Sequence, residues 1–311
     1  MSDTSKIRIG YLSTMYHTSI LIKSLEWLEK KGIKTRWTLF GTGPAIVDAL
    51  TRDELDVGYI GLAPTIIGIG KGAKIKCIAG GHVEGTIILG KGEYKPILTN
   101  SNDWRPALEQ FKGKKLGTPR RGSLHDVFLR FYLTQFGLSE SVEVVNYEWA
   151  DFIPDALRND EIAGAAGTPP LAVISSILAN AKIIVPPNLI WPNNPSYGIV
   201  TSVDNLTRRS DLLEKFLVLH KNACRLLRER PEEAATHIAK AVGIIDKDFA
   251  LKALEISPKY CAALSTEFVG STMRLVPVLR DLKYLSSDPK ESEIFEHQLI
   301  DKIHPEPPHY T

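Results

Sequence analysis

Cysteine is scarce in this sequence: Cys77, Cys224 and Cys261 are the three present among 311 residues, far apart and odd in number. That spacing gives no disulfide framework and no paired-cysteine metal motif, so buried free thiols are expected. Also missing is any run of roughly 18 apolar residues, which excludes a membrane-spanning helix. A net charge of +2, with lysines and arginines scattered, gives nucleic acid no basis as a partner. The opening MSDTSKIRIGYL passes from a polar leader straight into an apolar strand and lacks the apolar core of a secretory signal. As the sequence stands the expectation is a cytoplasmic protein, or an extracytoplasmic one if a signal has been trimmed.

What is there is ordinary globular material, 43% hydrophobic and 24% charged, long enough for two domains. The chain is organised around Gly117–Phe136, GTPRRGSLHDVFLRFYLTQF, which reads as a strand end, a polar turn and a helix. Leu124, Val127, Phe128 and Phe131 give that helix an apolar face, and Gly137 stops it. Arg120, Arg121, Gly122 and Ser123 fall at its start, where backbone N–H groups lack partners and the dipole is positive. That is an anion site by construction. Ser123 also suits an N-cap, accepting from an N–H near Asp126.

Strand and helix signals alternate along the rest. Strands are expected at Lys6–Leu12, Lys34–Phe40, Val57–Ile60 and Lys74–Ala79, with helices over Thr18–Lys31, after GTGP at Gly41–Pro44 and after GLAP at Gly61–Pro64. A second unit repeats the pattern between Lys114 and Pro186, with strands at Lys115–Thr118, Val142–Glu148, Glu161–Ala166 and Lys182–Val185. DALTRDELDVGYIGLAP (Asp48–Pro64) echoes DALRNDEIAGAAGTPP (Asp155–Pro170), which supports two similar lobes. The proline- and asparagine-rich Pro186–Gly198 reads as a crossover, Gly198–Thr201 as a strand returning to the first lobe, and the remainder as helical, including one helix over Val269–Leu285. The expected division is residues 1–92 plus 198–311 in a discontinuous first lobe and 93–197 in an inserted second, with a cleft between them.

The runs YLSTMYHTSIL, GTGPAIVDALTRDELDVGYIGLAP, PRRGSLHDVFLRFYLTQFGL and RERPEEAATHIA carry a resemblance. Over about Lys6 to Leu285 the chain resembles the periplasmic solute-binding proteins for nitrate, sulfonate and taurine, whose superfamily includes thiamine-pyrimidine-precursor proteins. The resemblance implies an α/β, two-lobed solute-binding-protein fold, each lobe a mostly parallel sheet flanked by helices. It implies ligand contacts from the turns after the strands: Ser13, Thr14 and His17; Thr42 and Gly43; Leu62 and Ala63; His82; Arg120, Arg121, Gly122, Ser123 and His125; and Thr168. Glu148, Trp149, Asn194 and Tyr197 join them from strand ends and the crossover. Each polar turn residue among these also suits simple capping or turn formation.

The expected function is binding of a small anionic or zwitterionic organic solute, sulfonate-like or pyrimidine-precursor-like, with a membrane permease as partner if the chain is exported. The alternative is a cytosolic enzyme on the same fold acting on a related sulfur- or nitrogen-containing metabolite. Relatives that work through a cysteine nucleophile or a cysteine cluster have no counterpart here, because the Ser13–His17 turn has no cysteine. Catalysis would fall to His17, His82 or His125. No cofactor and no metal are expected, and His220, His237, His297, His304 and His309 are read as structural or exposed.

Overall fold

Ile7 and Ile9 are wholly buried while Lys6 is exposed and Arg8 only half-buried, the alternation of a strand packed mainly on one face. They lie in β1 (Lys6–Tyr11), the first strand of a computed structural model that describes residues 6–97 and 103–310. The leader reading rests on residues 1–5, which lie outside the described residues. In chain order follow β2 (Lys34–Leu39), β3 (Val57–Ile60), β4 (Ile75–Val83), β5 (Ile87–Gly90), β6 (Lys114–Pro119), β7 (Val142–Tyr147), β8 (Gly164–Gly167), β9 (Lys182–Val185) and β10 (Pro195–Ser202).

Two five-stranded sheets result, ordered β2-β1-β3-β10-β4 and β7-β6-β8-β5-β9. β1 pairs in parallel with β2 and β3, as β6 does with β7 and β8. β10 runs antiparallel to β3 and β4, and β5 antiparallel to β8 and β9. Four strands of each sheet therefore share one direction, and the fifth opposes them. The echo between the halves is visible in detail: Ile9 lies opposite Val57 as Leu116 lies opposite Gly164. Asp53 and Asp160 both adopt left-handed backbone, with φ of 55° and 62°.

Several sequence expectations are corrected. Ile87–Gly90, expected within the first lobe, forms β5 in the second sheet, and β10 begins at Pro195 rather than Gly198. The sheets thus change over near residues 84–86 and 186–194, not at 92 and 198. β4 does not stop at Ala79, because Gly80 and Gly81 continue it where a Cβ would collide with Tyr310 and Tyr197. The helix from Thr18 ends at Ser24, since Glu26 takes a φ of 52°, and the chain resumes as a short 3-10 turn, Glu29–Lys31. Val269–Leu285 is two helices, Thr266–Met273 and Leu275–Asp281. Pro277 has no N–H to donate to the Met273 carbonyl, which favours the break.

Where the two crossing segments meet they are bonded to each other. The Glu84 N–H donates to the Asn194 carbonyl at 2.8 Å, and the Asn193 N–H donates to the Glu84 carboxylate at 3.0 Å. The helix Lys247–Ile256, late in the chain, packs on the second lobe's Pro169–Ala179. Among the described residues no helix is long and apolar enough to cross a membrane.

Candidate functional site

The turns after β1, β2 and β3 face those after β6, β7 and β8 across a cleft that leaves a void of about 130 Å³. Placement at the carboxyl ends of the parallel strands is general for open α/β sheets. Here the same turns also start helices, because each carries an extended residue followed by helix formers or proline. The cap residues of the four longest of them line the void: Thr42 before Gly43–Thr51, Gly61 before Leu62–Gly70, Ser123 before Leu124–Gln135, and Thr168 before Pro169–Ala179, besides His17 before the shorter Thr18–Ser24. Thr42 Oγ1 accepts from the Ala45 N–H at 3.4 Å and Ser123 Oγ from the Asp126 N–H at 3.3 Å. Two helices from each lobe therefore turn their positive ends towards one small volume.

Charged side chains contribute little beside this. Arg120 Nη1 donates to Glu148 at 3.0 Å, with both side chains about half exposed, so the pair is nearly self-compensating at the rim. His17 is 3% exposed, its ring 3.9 Å from that of Tyr197 and its Nδ1 without a hydrogen-bond partner. Burial, reinforced by His82 and His220, holds its pKa well below the ordinary value. His125 Nδ1 meets Thr86 Oγ1 at 2.9 Å, and burial brings its pKa down to about 4. Both rings are therefore neutral near pH 7 and serve as hydrogen-bonding groups. Tyr16, whose hydroxyl lies 3.0 Å from Ser196 Oγ, is pushed by burial up to about 12 and keeps its proton. The walls are otherwise apolar, with Leu12, Pro44, Pro64, Leu124 and Trp149 supplying them.

Of the residues expected at the site, the fold brings together Ser13, Thr14, His17, Thr42, Gly43, Arg120, Ser123, His125, Glu148, Trp149 and Thr168. Seven others do not line the cleft. Leu62 and Ala63 sit at the start of their helix with side chains wholly buried in the core. His82, inside β4, bonds through Nε2 to the Ser257 carbonyl at 2.7 Å and packs its ring against that of Tyr260 at 4.6 Å. Arg121 turns outward over the Tyr284 ring. Gly122, at φ 83°, gives its N–H to Asp126 at 2.9 Å. Asn194 is spent on the crossover, its amide donating to the Trp191 carbonyl. Tyr197 lies beneath His17 and accepts from the Thr18 N–H at 3.2 Å. Sequence reasoning missed Tyr16, Ser196, Gly41 and Gly61. Gly41 and Gly61 stand in the GTGP and GLAP turns already singled out, so that signal was present; Ser196 was hidden in a crossover that proves to be strand.

Comparison with known proteins gives a consistent picture. The profile described as the NMT1-like family matches residues 1–243. An aliphatic sulfonates-binding protein of Bacillus subtilis is 27% identical over 234 residues, 74% of this chain and 68% of that protein. Among solved structures, the periplasmic aliphatic sulphonate binding protein of Escherichia coli superposes with a TM-score of 0.77 at 17% identity, covering 94% of this chain and 92% of the other. The periplasmic nitrate-binding protein of Synechocystis PCC 6803 gives 0.76 at 13% identity, covering 97% and 88%. Those two likenesses establish the fold.

Proposed function

This chain belongs to the NMT1-like family, and from that premise we propose that it binds a compact organic anion of the alkanesulfonate class between its lobes. The observation that carries the reading is the convergence of four helix starts on one void with no lysine at its lining. Backbone N–H groups and dipole ends suit an oxyanion with several equivalent acceptors. The size of the void adds a limit: a dry cavity of about 150 Å³ holds a benzene-sized body, so 130 Å³ admits a head group with a short alkyl tail. Leu12, Pro64 and Trp149 would enclose that tail, which a bare inorganic anion would leave uncovered.

Lobes linked by two crossings close on a ligand by hinge motion, and the partner that reads the closed form is a membrane permease of an import system. The relatives named as periplasmic support a location outside the cytoplasmic membrane. Fractionation of host cells decides between that and the cytoplasmic placement expected from the leader. The enzyme alternative gains little support from the cleft, since an imidazole held near pKa 4 is a weak proton acceptor at neutral pH.

Calorimetric titration with the linear alkanesulfonates from methane- to butanesulfonate tests the proposal. Saturable 1:1 binding that strengthens with chain length and then stops at the limit of the void is expected. Absence of binding across the series, or equal binding of the corresponding alkylamines, overturns it.

A further inference from the structure

Outside the lining of the cleft, in the first lobe, three groups distant in sequence meet. Cys261 Sγ lies 3.2 Å from His304 Nε2 and 3.7 Å from His309 Nδ1, and all three atoms fall within 4.8 Å of one another. A tetrahedral zinc site with Zn–S near 2.3 Å and Zn–N near 2.0 Å places sulfur and nitrogen ligands about 3.5 Å apart, which these two distances bracket.

The surroundings are those of a ligand set and not of a chance encounter. His304 Nδ1 donates to the Glu306 carbonyl at 3.0 Å, which fixes the tautomer that leaves Nε2 free to ligate. The N–H groups of Ala263 and His309 both point at Cys261 Sγ, at 3.5 and 3.3 Å, and would stabilise a thiolate. The Glu306 carboxylate, 3.9 Å from His304 Nε2, is held by Lys221 at 2.5 Å, which leaves the fourth corner to water. Cysteine with two histidines is a borderline donor set, suited to zinc over the hard cations.

We propose that Cys261, His304 and His309 form a zinc(II) site, completed by water, that clasps the C-terminal segment to the first lobe. The segment it would clasp already leans there: the Tyr310 hydroxyl donates to the Cys261 and Ala263 carbonyls at 2.7 and 2.9 Å. Residues 260–262 in turn are bonded to β4, with the Gly80 N–H donating to the Ala262 carbonyl at 2.9 Å and the Cys261 N–H to the Gly81 carbonyl at 3.3 Å. The clasp would join the end of the chain to an edge of the first sheet through one ion. The expectation of no metal site followed from sequence distance, since 43 residues separate Cys261 from His304.

The test uses the full chain, stripped with chelator and desalted, then titrated with zinc chloride or cobalt(II) chloride. One zinc per chain, a rise in melting temperature on zinc addition, and a thiolate-to-cobalt charge-transfer band are expected. His309→Ala, at the least buried of the three, should weaken zinc binding at least a hundredfold, and Cys261→Ser should abolish the band. Should Cys261→Ser fail to fold, His309→Ala decides alone. Lack of stoichiometric zinc, cobalt bound without a thiolate band, or unaltered affinity in His309→Ala overturns the proposal.

Discussion

The indole of Trp149, carried by the second lobe, rests on the bare backbone of Gly41 in the first: a Cβ on Gly41 would stand 2.8 Å from Trp149 Cζ2. The contact closes one wall of the cleft, and it exists because that position carries no side chain. Any larger residue there must displace the far edge of the indole, by moving the second lobe outward or by swinging the partly exposed ring aside.

Gly41→Val is expected to hold the lobes apart. Affinity for a short alkanesulfonate should fall tenfold or more while the unliganded protein unfolds at nearly its usual temperature. Trp149→Ala should weaken binding comparably, through loss of apolar wall and not of closure. Calorimetry together with small-angle scattering separates the two, because only Gly41→Val should enlarge the particle. A valine variant as compact and as tight-binding as the wild type would remove Gly41 from the closing contact.

Arg120 and Arg121 are adjacent in sequence but opposite in role. Arg120→Ala should cost alkanesulfonate binding less than about 1 kcal/mol, because Glu148 already compensates its charge at the exposed rim, with equally little loss of stability. Arg121→Ala should leave affinity unchanged, since its guanidinium lies over Tyr284. Glu148→Gln, which frees Arg120 from its carboxylate partner, should tighten anion binding. Equal effects of the two arginine variants would contradict this assignment.

Ser123 both lines the cleft and caps the helix behind it. Ser123→Ala should lower the stability of the unliganded protein by about 1 kcal/mol, whereas Ser123→Gly should cost only a few tenths. Urea unfolding of the two variants measures the difference, and an alanine variant as stable as the wild type would show the cap to be idle.

Stability should fall in mild acid. His82 and His220 are wholly buried, and burial brings each to about pKa 4, below the unfolded value of about 6.5. The unfolded chain thus takes up protons that the folded one refuses. Their contribution is complete above pH 6.5 and is lost as pH falls through the window down to 4. The limiting slope is about 1.4 kcal/mol per pH unit for each group. Unfolding free energies measured between pH 7 and 4.5 should show this decline, and a flat profile would mean that neither ring is held neutral.

Much of the fold was legible because the signals were local. Alternation in Lys6–Tyr11, proline at the first helical positions and the Gly137 stop each reflect the chain's immediate neighbours. Ser123 and Thr42 could be read as caps for the same reason. What escaped depends on partners distant in sequence. Ile87–Gly90 is only four residues long and becomes a strand by pairing with β8 and β9. His82 looks like a turn residue after two glycines, yet those glycines are required by Tyr197 and Tyr310 passing over the strand. Arg120 and Arg121 could not be told apart until Tyr284, some 160 residues later, claimed one of them.

The four helix starts around the void have a consequence for descent. The pull proposed for an anion there comes from peptide N–H groups, which every amino acid but proline carries, so few single exchanges of side chain would erase it. The walls are another matter: Leu12, Pro64, Leu124 and Trp149 can each be swapped for something larger or smaller. A lineage built on this scaffold can wander among anions of different shape while its taste for negative charge stays inherited.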